Sequence, residues 1–302
     1  MHRFRAMATY FEFSLWGKDE SYLRSCAEEA EAEVHRVERH LSLYREESEI
    51  YEVNARAFYR PVPLDPRTYS LMKRACEISA VTNGAFDITA GPLIKAWGFV
   101  GDQGSIPDPD VLDLAREVSG YDKLIFDDDY RTVQFAREGC MVDLGAIGKG
   151  YALDQAAEIL TDLEIPGALL HGGTSSVVAV GTNIDGAPYN VAIHDPRNHD
   201  EPIRTVALSN KTLSVSGLYG KSFTDGTITY GHVIDPSLGE PVQQAHLSAV
   251  VCNSATDGDA LSTALLVRGA SLIPSMQVVN PTAYGLVAII TDTGELTIQS
   301  NI

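Results

Sequence analysis

An α+β fold, with mixed or antiparallel sheets and flanking helices, is what this 302-residue sequence predicts. Helix-spaced apolar residues occupy the first third and recur near the end, whereas the middle, from about 164 to 252, is a series of short alternating stretches. No Pro- or Ser-rich linker and no repeat of 20 to 50 residues divides the chain, so one domain over 1–302 is expected, with room for two lobes around a cleft.

The elements follow in order. The aromatic run "TYFEFSLW" (9–16) predicts a strand. Leu23, Ala30, Val34, Val37, Leu41 and Tyr44 then recur at three- and four-residue steps, predicting a helix over about 20–46. Asp65 as cap, Pro66 at the first helical position, the stripe Leu71, Met72, Ala75, Ile78 and Ser79, and Gly84 beyond the end delimit a second helix. Asp108 and Pro109 repeat that start for a helix to about Val118. "YDKLIFD" and "RTVQFA" predict a hairpin across "DDDY", and "CMVDLG" (140–145) a strand running into a glycine turn and a helix from Tyr151 to about Leu163. Seven strands come next: "GALLHGG", "SVVAVG", "YNVAIHD", "RTVALS", "TLSVSG", "TYGHVID" and "LSAVVCN". A helix at "DGDALSTALLV" (257–267) and a hairpin turning at Asp292 to Gly294 close the chain.

Forty-one acidic against 23 basic residues give a formal charge of −18, which repels nucleic-acid phosphates and anionic lipid surfaces. A phosphate substrate would therefore need a cation, backbone amides or a few placed basic groups. Cys26, Cys76, Cys140 and Cys252 are scattered, without CxxC or neighbouring His, so zinc ligation is not expected and free thiols are. No signal-type apolar region and no run of about 18 apolar residues is visible, so a cytoplasmic protein without a membrane span is expected.

Four segments carry more glycine and polar punctuation than strand or helix building requires: "NGAFDITAGPL" (83–93), "VDLGAIGKGYALD" (142–154), "YGHVIDPSLGEP" (230–241) and "DGDALST" (257–263). The second lacks GxxxxGK[ST] spacing, and no GxGxxG occurs, so neither common nucleotide fingerprint is met. His232 near a strand end is open to a structural role or to general-base or phosphate-contact chemistry. Asp87 and Asp143 are likewise open either to a functional role or to turn or cap roles. Asp257 or Asp259 could cap the last helix, but capping gives no reason for Thr263, which stands four positions from Asp259 on the same helical side. Together Asp259 and Thr263 form a pair of hard oxygen donors, suited to a divalent cation.

In this order the segments resemble the ApbE family of flavin transferases over nearly the whole chain. "MAT" (7–9) is similar to the family's MGT, "LSLYREESEIYEVN" to MSTYxxxSExxxxN, and "GAFDITAGPLIKAWGF" to GAFDxTxGPLxxxWGF; "VDLGAIGKGYALD", "HVIDPSLGEPV" and "DGDALSTALLV" resemble DLGGIAKGYAVD, HIIDPRTGxPV and ADALATAL. The resemblance implies an ApbE-like, T-fold-like architecture with FAD in its cleft. It implies Mg²⁺ held by Asp259, Thr263 and the Gly148 carbonyl, FAD as substrate, and transfer of its FMN half to a Thr or Ser hydroxyl of an acceptor flavoprotein through a phosphoester, releasing AMP. His232 would take the hydroxyl proton, alongside Asp259 as the second catalytic residue. Met7, Tyr44, Gly84, Ala85, Phe86, Asp87, Lys149, Asp154, Ser216 and His232 would contact the dinucleotide, Met7 and Tyr44 through its rings and Asp154 on the adenosine side. A homo-oligomer is left open.

Two departures bear on efficiency and acceptor preference. Ser237 and Leu238 stand where the family has the Arg and Thr of DPRTG, removing an arginine that could pair with phosphate. Val215 replaces the first residue of TSGxY, with Ser216, Gly217 and Tyr219 kept, and Thr174 stands where an acidic residue is common. Two other activities fit the same segments: hydrolysis of FAD to FMN and AMP, in which water is the nucleophile, and storage of FAD without turnover.

Overall fold

The computed structural model describes residues 1–302 apart from 102, 103, 219–221, 244 and 292, and apart from the side chain of His199. Asp292 of the expected closing turn and Tyr219 thus lie outside the described residues. Among those residues, no helix is long and apolar enough to cross a membrane.

The fold is α+β, built on an eight-stranded sheet: β1 (His2–Ala6), β2 (Thr9–Trp16), β3 (Gly167–Gly172), β4 (Ser176–Gly181), β5 (Lys211–Gly217), β6 (Leu247–Cys252), β7 (Tyr284–Ile290) and β8 (Leu296–Ser300). They lie side by side in chain order, every neighbour antiparallel. The helices are inserted between strands: α1 (Glu20–Leu41), α2 (Glu49–Arg56), α3 (Pro66–Val81), α4 (Gly91–Ala96), α5 (Pro109–Val118) and α6 (Gly148–Asp162) between β2 and β3, then α7 (Ala255–Arg268) and α8 (Ile273–Val279) between β6 and β7.

Strand alternation gives the sheet two differently covered faces. Phe11, Phe13, Leu170, Val178, Val250 and Val287 face α1, α6 and α7 and join the main core. Their neighbours Val177, Ala179, Leu213, Ala249, Val251 and Leu286 face away and are covered by Ile193, Val206 and Leu208 of a hairpin formed by 189–195 and 198–208.

The capped helices start where the sequence places them: Asp65 accepts from Arg67 N before Pro66, and Asp108 from Asp110 N before Pro109. Several boundaries differ. α1 stops at Leu41 because Ser42 takes up the Tyr44 and Arg45 amides, and Ser48 caps a new helix, α2. β1 escapes the pattern because Arg3 and Arg5 alternate outward along it and half-buried His2 shares the face of Phe4, and its turn to β2 holds Met7 and Ala8 at φ 48° and 60° without a glycine. "CMVDLG" joins no strand: the Asn54 side chain accepts from Val142 N at 2.7 Å and donates to Val142 O at 2.9 Å, standing in for a strand partner. α6 begins three residues before Tyr151, and "TYGHVID" is broken at His232 and Val233 between two short strands. All four cysteines are free, three of them buried.

Candidate functional site

The four punctuated segments meet at one cavity of about 450 Å³. The turn from α3 to α4 lines it with Ala85, Phe86 and Asp87, the approach to α6 with Asp143, Gly145 and Lys149, and α7 with Asp259, Ser262 and Thr263. His232, Val233 and Ile234 form a further wall, Val215 and Ser216 of β5 another, and the exposed ring of Tyr44 stands at the margin.

Each wall is held by hydrogen bonds to neighbouring elements. α3 ends in a left-handed turn, Asn83 and Gly84 having φ 51° and 74°, which turns the chain toward the cavity; Gly84 itself does not line it. Asp87 Oδ1 accepts from the Thr89 amide (2.8 Å) and hydroxyl (2.6 Å), and Oδ2 from Tyr121 N (2.8 Å), so the Asp-x-Thr pair ties this turn to the start of the 121–127 segment. Burial pushes the Asp87 carboxyl above its usual range, with these three donors opposing it. Asp143, placed by the Asn54 clamp on its neighbour, is likewise raised by burial and opposed by Gly145 N. Trp97 donates to Gly239 O at 2.8 Å and packs beside Ile234, which fixes the His232 wall against α4.

Asp259 is the most tightly held of these groups. Its Oδ1 accepts from the hydroxyls of Ser176 (2.7 Å) and Ser214 (2.7 Å), and its Oδ2 from Gly150 N (2.7 Å), an amide that the first turn of α6 leaves without a helical partner. Only glycine permits the approach, since a Cβ at 150 would stand 2.0 Å from Ala255 O. Burial drives the Asp259 carboxyl upward, while the nearby Lys149 charge, the two hydroxyls and the amide pull it back. One turn later Thr263 donates to Asp259 O at 3.1 Å and lies 3.4 Å from Ser216 Oγ, so both expected donors open onto the same cavity.

The remaining candidates are placed differently. Gly148 is buried as the first residue of α6, its amide bonded to Leu144 O, and Lys149 rather than Gly148 lines the cavity. Asp154 is engaged elsewhere: its carboxylate accepts from Ser254 Oγ, Ala255 N, Thr256 N and Thr256 Oγ1, securing the start of α7, and it does not line the cavity. Met7 sits in the β1–β2 turn, its amide bonded to Glu38, outside the lining set. Neither aspartate of "DGDALST" caps its helix. Ser254 does so, and Asp257 pairs with Arg74 at 2.9 and 3.0 Å and accepts from Asn280. Ser237 turns away to Asp235 and Arg268, so the side chain that replaces the family's arginine is taken up in a local network.

Ser176, Ser214 and Asn54 were not among the predicted site residues. Two serines at helix-facing positions, side by side on strands flanked by buried apolar residues, were the available signal. A second concavity of about 570 Å³ between α3, α6 and α7 is lined by Arg67, Arg74 and Tyr151, but its arginines are already paired with Glu33 and Asp257 and it gathers none of the four segments' glycine turns.

Among the described residues, no group of three or more His, Cys, Asp or Glu is arranged to hold a metal. One carboxylate with a hydroxyl a turn away is instead a sparse, all-oxygen donor set of the kind a hard cation uses when substrate phosphate and water complete its shell.

A family model, the ApbE family, matches residues 7–285. The FAD:protein FMN transferase of Haemophilus influenzae is 31% identical over 283 residues, 91% of this chain and 81% of that protein. That of Klebsiella pneumoniae is 29% identical over 271 residues, 88% and 77%. The crystal structure of the ApbE protein of Thermotoga maritima is similar with a TM-score of 0.86 at 30% identity, covering 98% of this chain and 95% of that one. The apo flavinyl transferase ApbE of Pseudomonas stutzeri gives 0.87 at 26% identity, covering 99% and 93%.

Proposed function

The chain belongs to the ApbE family, and from that membership we propose that it transfers FMN from FAD to a Thr or Ser hydroxyl of an acceptor flavoprotein with Mg²⁺ bound, releasing AMP. The observation that carries this reading is the convergence of Asp259, Thr263, Lys149 and His232 on one cavity whose other walls are the Phe86 turn and the Tyr44 ring.

Asp259 and Thr263 would hold the cation, with the Gly148 carbonyl as the remaining protein donor. When bound, it supplies neutralisation of the charge that develops on the pyrophosphate. Lys149 adds a positive charge at the same wall, local help for a phosphate substrate in a chain of net charge −18. His232 accepts the proton of the acceptor hydroxyl as that oxygen bonds to the FMN phosphorus. The bond from that phosphorus to the bridging oxygen breaks, and AMP leaves with the bridging oxygen. Because the protein makes no covalent bond to the substrate, positioning and preorganised charge supply the rate. Tyr44, a residue 70% exposed, offers a ring face for stacking on a flat heterocycle.

The test mixes the protein with FAD and Mg²⁺, with and without an acceptor peptide, and reads peptide mass and free AMP. A peptide heavier by the FMN moiety, with equimolar AMP, is expected. AMP without labelled peptide assigns hydrolysis instead, and FAD retained intact assigns storage.

A further inference from the structure

The helix-facing side of β4, β5 and β6 carries a patch of serines in a main core that is otherwise largely apolar. Register pairs Ser176 with Ser214 across β4 and β5, and Ser216 with Ser248 across β5 and β6. The two pairs serve successive turns of α7. Ser176 and Ser214 both donate to Asp259 Oδ1, whereas Ser248 donates to Ser262 O at 2.6 Å and Ser216 meets Ser262 Oγ at 2.8 Å. Ser176, Ser214 and Ser248 are fully buried.

A carboxylate has about four acceptor positions, two on each oxygen. At Asp259 the two serines fill both positions of Oδ1, and Gly150 N fills one of Oδ2. One position remains. We propose that Ser176 and Ser214 are positioning residues that restrict Asp259 to a single open lone pair and thereby set the preference of this site for Mg²⁺ over Ca²⁺. The proposal rests on the reading that Asp259 holds a cation. Mg²⁺ demands near-ideal octahedral geometry and takes few protein carboxylates, while Ca²⁺ accepts six to eight ligands and commonly takes a carboxylate through both oxygens. An Oδ1 saturated by two hydroxyl donors denies that second grip. Hydrogen-bond partners of a ligating group commonly change metal affinity by about 10- to 100-fold.

The test titrates MgCl₂ and CaCl₂ separately into the full chain, following the rise in Tm with each metal alone and the apparent Kd derived from it. Wild type is expected to prefer Mg²⁺. The double variant Ser176→Ala/Ser214→Ala should lower the Mg²⁺/Ca²⁺ affinity ratio by on the order of tenfold, with each single variant moving it the same way. Ser248→Ala removes an equally buried hydroxyl that donates to a backbone carbonyl instead; it should lower the metal-free Tm and leave the ratio unchanged. A double variant with the wild-type ratio overturns the proposal, as does an equal shift in Ser248→Ala. If the double variant does not fold, the two single variants decide on the same ratio. A wild type that responds to neither cation overturns the metal reading itself, and this proposal with it.

Discussion

Leu213 and Ser214 are neighbours on one strand, equally buried, and do opposite things. Leu213 joins Val177 and Ala249 beneath the 189–208 hairpin, in a face closed mainly by apolar contact. Ser214 joins Ser176 on the other face, beneath α7, where both donate to the Asp259 carboxylate and neighbouring Ser248 donates to the Ser262 carbonyl. Burial does not tell the two faces apart. What differs is the opposing element: the hairpin presents Ile193, Val206 and Leu208, whereas α7 presents Asp259. A buried hydroxyl is favoured where such a partner exists, because an unpaired one costs about 1–3 kcal/mol. The comparison therefore separates a face that stabilises the fold from one that positions the chemistry.

The largest effect that would sharpen this contrast is Asp259→Asn. Transfer of FMN to an acceptor peptide should fall by roughly 10³-fold or more, as several kcal/mol of charge stabilisation are lost, and chelation with EDTA should do the same to wild type. Time courses of labelled peptide measure both. Leu213→Ala, one strand position from the serine row, should cost about 2–5 kcal/mol of stability by leaving a cavity, read by chemical denaturation, with the Mg²⁺ affinity of the folded protein unchanged. A large loss of affinity there would break the division between faces. His232→Ala should slow transfer by about 10²-fold, read in the same time courses; near-normal turnover reassigns the proton acceptor.

Smaller effects test the edges of the division. Arg74→Met removes the partner of Asp257, two residues from Asp259 but directed to α3. With Arg74 partly exposed, the expected cost is about 1–2 kcal/mol, below that of a fully buried pair, with metal preference intact. Last, burial lowers the pKa of His171 on the hairpin-facing side of β3 and of His246, whose Nδ1 accepts from Ile290 N at 3.1 Å. The unfolded chain then takes up protons first as pH falls. The histidines' contribution to stability should hold above about pH 6.5 and decline below it, levelling off once they protonate in the folded state, while the buried carboxyls of Asp87, Asp143 and Asp259, raised in the folded state, act in the opposite sense. A His171→Gln/His246→Gln variant whose midpoint changes between about pH 7.5 and 5 just as that of wild type does would contradict this.

Much of the fold is legible because its signals are local. Asp65-Pro66 and Asp108-Pro109 mark helix starts through interactions spanning two or three residues, and the stripe of α3 needs only its own periodicity. Failures occur where a distant group replaces a local one. Asn54 satisfies Val142 from 88 positions away, so an extended stretch reads as a strand yet pairs with none. Asp154 reads as a site residue from its motif but is taken up by the first turn of α7, about a hundred positions on. Tyr44 fits the α1 stripe only if the helix continues, and the Ser42 hydroxyl ends it.

The sequence alone determined the α+β class, the caps of α3 and α5, the order of the four punctuated segments, and the i, i+4 spacing that sets Asp259 and Thr263 on one side of a helix. All of these depend on residues within a turn or a strand of one another. Only tertiary structure decided that Ser176 and Ser214 meet at one carboxylate oxygen, that Gly150 closes on the other, and that Asp257 serves a latch while Asp259 faces the cavity. Those contacts join positions 45 to 183 residues apart, and sheet register and helix packing, which no local periodicity encodes, bring them together.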